Sequence, residues 1–215
     1  VNERGFSRRF FFDANGNPTL GPEFVVNTYT YDNQVFPAIA ADDQDRFVVV
    51  WQSYGQDGSG SGVFGQRFNA AGQPLGTEFP VNGYTTADQF GPAVAANGAG
   101  GFVVVWESWS PDDSGSIVHG QRFDPAGLPL GEEFRVGGAA TSRQQQAGIA
   151  VDESGAFLVT WTGHNPDGSD WNVEAQRFDP EGRPVGGEFR VNTYTPANQI
   201  RPGVAEIGSG DFVVV

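Results

Sequence analysis

A chain of 215 residues with 38% hydrophobic and 13% aromatic side chains is long enough for one large all-β domain or two small ones, and apolar enough to bury a core. Its formal charge is −14 with a sequence pI near 4.3, and all 12 cations are arginine. That balance excludes a nucleic-acid footprint and anionic membrane surfaces, and the absence of cysteine excludes disulfides, thiolate metal sites and a Cys nucleophile.

The chain opens at Val1 on VNERGFSRRFFF and carries no signal peptide or transmembrane run, which leads us to expect a processed chain or a fragment. From Asp13 onward one unit repeats every 55 residues. FVVVW at 47–51 returns at 102–106, as FLVTW at 157–161 and as FVVV at 212–215; QRF stands at 66–68, 121–123 and 176–178. Glu-Phe opens a further segment at Glu23, Glu78, Glu133 and Glu188, and VNTYT at 26–30 recurs at 81–85 and 191–195 but degenerates to VGGAA at 136–140. The series Gln34, Gln89, Gln144 and Gln199 keeps the same register. The chain therefore divides into a partial unit 1–31, units 32–86, 87–141 and 142–196, and a partial unit 197–215.

Each unit contains four strand-like segments, called a to d. In the second unit they are Pro92–Ala95, Phe102–Trp106, Val118–Phe123 and Phe134–Val136. The c–d link reads Asp124-Pro125-Ala126-Gly127, with Asp at turn position i, Pro at i+1 and Gly at i+3, the pattern of a type I turn closing a hairpin. Segment b is apolar at every position, so both its faces are expected to be buried. A four-stranded unit with such an inner strand predicts a β-propeller-like all-β fold of about four blades, stacked face to face, with the last closed by strands from both termini. A fragment of a larger propeller and an array of β-sandwich modules are the alternatives.

The b–c loop is the most polar part of the unit: GQDGSGSG at 55–62, SPDDSGSI at 110–117 and NPDGSDWN at 165–172. Asp57, Asp112 and Asp167 align across the copies, each followed by Ser two residues later. Carboxylate, hydroxyl and carbonyl oxygens in a Gly-rich loop are the ligand types Ca²⁺ takes, and an Asp side chain that caps a turn is the competing reading. Around these aspartates the copies diverge: Tyr54 against Trp109 and His164, Ser61 against Trp171, Phe64 against His119 and Glu174. Variable aromatic and polar side chains on a shared scaffold mark a candidate binding surface, so Tyr54, Phe64, Trp109, His119, His164 and Trp171 are the ligand-binding candidates. Trp51, Trp106 and Trp161 close the apolar segment and read as packing between blades. Arg67, Arg122 and Arg177 are expected to pair with the Glu-Phe glutamates across the c–d hairpin, and the repeated glutamines to satisfy backbone groups between blades.

The unit G-x-E-F-x-V-N-T-Y-T…F-V-V-V-W-x-S…D-G-S-G…G-Q-R-F-D resembles repeats of large secreted bacterial proteins, described as hemolysin-type calcium-binding or cadherin-containing surface proteins. The resemblance runs from about Asp13 to Val215 and implies a secreted or cell-surface location. The calcium motif of those proteins is a separate nonapeptide array, G-G-x-G-x-D-x-U-x, which does not occur in this sequence. No G-x-S-x-G elbow, P-loop or dinucleotide fingerprint is present either. The sequence thus leads us to expect a non-enzymatic extracellular scaffold that presents its b–c loops to a protein or glycan. A lectin-like carbohydrate binder and a propeller-type hydrolase are the alternatives.

Overall fold

A computed structural model describes residues 24–109, 115–138, 143–164, 171–194 and 196–215, together with the strand backbone at 6–7, 10–12 and 18–20. Near the N-terminus lie β1 (Phe6–Ser7), β2 (Phe10–Phe12), β3 (Pro18–Leu20) and β4 (Phe24–Val25), paired β1 with β4 and β2 with β3. The first blade is β5 (Gln34–Ala41), β6 (Phe47–Tyr54), β7 (Ser61–Phe68) and β8 (Pro74–Pro80). The second is β9 (Gln89–Ala96), β10 (Phe102–Trp109), β11 (Ser116–Phe123) and β12 (Phe134–Arg135), and the third is β13 (Gln144–Val151), β14 (Phe157–His164), β15 (Trp171–Phe178) and β16 (Pro184–Arg190). Strands β17 (Val204–Glu206) and β18 (Phe212–Val214) pair with each other. Each blade is an antiparallel meander in chain order, as expected of a β-propeller-like fold. Among the described residues no pairing joins β17 and β18 to β2 and β3.

Alternation along strand b explains how the blades stack. Val48, Val50, Val63 and Val81 of the first blade pack against Phe102, Val104, Trp106 and Phe123 of the second. Val103, Val105, Val118 and Val136 then meet Phe157, Val159, Trp161 and Phe178 of the third. One face of each strand therefore looks forward along the chain and the other back, which is why segment b has no polar alternation. The Glu-Phe phenylalanine completes each interface. Phe79 tilts against the stacked pair Phe102–Phe123, and Phe134 against Phe157–Phe178.

Polar groups tie the blades together in a way the sequence reading misassigned. The cross-strand neighbour of Arg67 is Leu75, and that of Arg177 is Val185, so the expected arginine–glutamate pairs of the c–d hairpin do not form. Each glutamate reaches back instead. Glu78 Oε2 accepts the Thr28 N–H at 2.6 Å, Glu133 the Gly83 N–H, and Glu188 the Gly138 N–H at 3.0 Å. Arginines reach forward: Arg122 Nη1 donates to the Pro180 carbonyl at 2.7 Å and Arg177 Nη2 to that of Gly210 at 3.3 Å. The glutamines of QRF serve their own hairpin; Gln66, Gln121 and Gln176 donate to the carbonyl of the next residue and to that of Gly76, Gly131 or Gly186.

Candidate functional site

The a–b and c–d turns lie at one end of every blade, the b–c loops and d–a links at the other. At the loop end, between the first and second blades, a groove of about 490 Å³ opens. Trp106, 1% exposed, lies beneath it in the blade core, Trp109 and Ser108 continue the same strand, and Ile117 and His119 line it from β11. Tyr84 enters from the link between the two blades, Gln89 from the start of β9, Arg135 from β12 and Glu133 from just before it. Strand pairing sets the geometry: Trp106 faces His119, Ser108 faces Ile117, and His119 faces Arg135. Gln89 is fixed at the back of the groove, accepting from Asn82 Nδ2 at 3.0 Å and donating to the carbonyls of Thr86 and Ala87.

Burial, and after it the nearby Arg135 guanidinium, hold the His119 pKa below the usual imidazole value, so the ring is neutral at pH 7. It can donate one hydrogen bond and accept another there. Trp109 carries the Arg143 guanidinium over its ring at 5.8 Å. Glu133 keeps one oxygen on the first blade through Gly83. The groove thus offers apolar ring faces edged by hydrogen-bonding groups of both senses and by the Arg135 and Arg143 guanidinium groups.

Of the ligand-binding candidates, the structure brings together Trp109 and His119. His164 and Trp171 meet edge-on at 4.7 Å between ring centres, at the same end of the third blade. Tyr54 is exposed at the end of β6 and lies outside the groove. Phe64 is corrected: it is 7% exposed and packs with Val26, Trp51 and Phe68 in the core on the N-terminal side of the first blade. The calcium expectation at Asp57 is not supported. Its Oδ1 accepts the Ser59 N–H at 3.0 Å, an Asx turn, and no group of three metal-ligating side chains exists among the described residues. Asp112 and Asp167 lie outside the described residues.

Sequence reading missed Tyr84, Arg135 and Glu133 as site residues; Trp106 packs between the blades, as expected. Arg135 gave a weak signal, since the aligned positions hold Pro80 and Arg190. Beside the groove, on the opposite face of β10, Glu107 is 6% exposed, and its Oε1 accepts the Gln146 N–H of the third blade at 2.7 Å. Burial pushes its pKa up to about 7.

No protein-family model matches the chain, and no curated protein matches its sequence. Solved structures do match its fold. An α-L-arabinanase of Penicillium chrysogenum, solved with arabinobiose, superposes with a TM-score of 0.63 at 14% identity, covering 93% of this chain and 63% of that one. The GH93 α-L-arabinofuranosidase of Fusarium graminearum gives 0.60 at 13% identity, with the same coverage of 93% and 63%. An endo-arabinase of Bacteroides thetaiotaomicron gives 0.55 at 10% identity, covering 92% and 75%. The chain thus spans under two thirds of the length of the first two and three quarters of the third. These likenesses correct the expectation of a non-enzymatic scaffold: the solved structures that share this fold include glycan-cleaving enzymes. The chain is an all-β, β-propeller-like protein with an aromatic, polar-edged groove where its first two complete blades meet.

Proposed function

We propose that this chain is a carbohydrate-active, glycoside-hydrolase-like propeller that takes a saccharide into the groove between its first and second blades. The observation that carries the reading is the groove itself, aromatic and polar-edged, set on a fold shared with arabinan-cleaving enzymes. Sugar rings offer C–H faces that lie on indole and phenol rings, and hydroxyls that need directional partners. Trp109 and Tyr84 supply the ring faces, and Ser108 and neutral His119 supply partners. Glycosidic cleavage requires a proton donor and a base or nucleophile, and Glu133 and His119 are the titratable pair within reach of a ligand in the groove. We place this work outside a bacterial cell, in keeping with the repeat's resemblance to secreted surface proteins.

The test is incubation with arabinan and a panel of other polysaccharides, following release of reducing ends, alongside tryptophan fluorescence. At least one polysaccharide should be cleaved, with cleavage lost in Glu133→Gln, and it should quench the indole emission. A panel that neither yields reducing ends nor perturbs the fluorescence overturns the reading.

A further inference from the structure

The three interfaces preceding the complete blades share one frame, and a single cross-strand pair sets the character of each. The pair is Phe64 opposite Pro80 in the first blade, His119 opposite Arg135 in the second, and Glu174 opposite Arg190 in the third. In the first, Phe64 fills the space as core. In the third, Glu174 Oε1 lies 3.7 Å from Arg190 Nε, so the guanidinium has a carboxylate inside the protein. In the second, the residue facing Arg135 is an uncharged imidazole. Glu133, the carboxylate on the groove wall, lends an oxygen to the Gly83 N–H. Among the described residues Arg135 forms no ion pair, whereas Arg46, Arg183 and Arg190 each do. Arg135 is thus an exposed guanidinium without a carboxylate partner among the described residues, and it stands in the aromatic groove of a chain of net charge −14.

We infer that the groove is built for an acidic saccharide, whose carboxylate seats on the Arg135 guanidinium while its ring lies on the aromatic side chains. The inference rests on the carbohydrate reading above and narrows its substrate class to uronate-bearing glycans. The hydroxyls of a neutral sugar take single, uncompensated hydrogen bonds from a guanidinium, whereas a carboxylate accepts two parallel charge-assisted N–H bonds from its fork. The overall negative field of the protein repels such a ligand, so an acid preference has to arise locally, at Arg135.

Tryptophan fluorescence titrations with trigalacturonate and with its methyl ester, at one ionic strength, test this. The two probes share shape and hydroxyls and differ in charge. The acid is expected to bind about tenfold more tightly than the ester, the scale of one charge-assisted contact. Arg135→Gln removes that ratio. His119→Glu, which installs the third blade's internal pair, removes it too and serves as the second variant should Arg135→Gln fail to fold. Ester binding as tight as acid binding in the unaltered protein overturns the acidic specificity and leaves the carbohydrate reading standing. Failure of both probes and of neutral arabino-oligosaccharides to bind overturns the two together.

Discussion

The two ends of each blade follow opposite rules. At the turn end every copy solves the backbone problem alike: Asn69, Asp124 and Asp179 each place Oδ1 on the N–H groups two and four residues on, at 2.8–3.0 Å. Asp42 and Asp152 act in the same manner on the a–b turns. At the loop end no two copies agree, and the interfaces beneath are in turn filled, open and ion-paired. A repeat can thus hold its architecture fixed by local turn chemistry at one end while the other end varies, because the strands between them are committed on both faces.

That contrast can be broken at five places, in decreasing order of effect. Trp106→Ala removes a blade-core side chain that underlies the groove, so it should cost about 4 kcal/mol in denaturant unfolding and weaken saccharide quenching. Trp109→Ala should abolish the quenching with little loss of stability, which would separate the rim from the core. Glu107→Gln acts through pH. Because the folded pKa of Glu107 is raised to about 7 from 4.5, the unfolded chain ionises first, and stability falls as pH rises from about 4.5 to 7. The Gln variant should flatten that window and gain up to about 3 kcal/mol above pH 7, read as melting temperature against pH. The first blade already carries Gln52 at this position. Gly120→Ala would set a methyl 2.6 Å from Phe134 Cζ, displacing the ring that seals the next interface, at about 2 kcal/mol. Asp124→Ala, at the turn end, should cost about 1 kcal/mol and leave saccharide binding unchanged.

What the sequence disclosed divides along the same line. FVVVW announced a strand buried on both faces, and Asp-Pro-Ala-Gly announced its turn, because each depends on neighbours in the chain. The kink in strand a was hidden. Phe36, Gly91, Gln146 and Arg201 all adopt positive φ, between 51° and 60°, at one position of the repeat, yet the side chains share nothing that would predict it. The arginine–glutamate pairing failed because the register sets Arg67 against Leu75. The groove was hidden for a third reason: Trp106, His119 and Arg135 come from three strands brought together by the pairing of one blade, and Tyr84 joins them from the link that precedes it. One irregularity did carry information. Where Asn82 and Asn192 accept the N–H of Val63 and Val173, the aligned residue is Gly137, and Gln144 Oε1 takes the Val118 N–H at 2.9 Å instead. The degenerate VGGAA is therefore a substitution of partners, with the same backbone group satisfied from the next blade.

The forward arginines and backward glutamates also govern how the molecule comes apart. Each complete blade holds its neighbours through contacts only one unit away, so its stability is the sum of its own meander and two adjoining interfaces. Unfolding should then run as a zipper from whichever blade has lost a neighbour. In hydrogen exchange the amides of β10 and β11 should outlast those of β17 and β18, and the groove should be among the last features to dissolve.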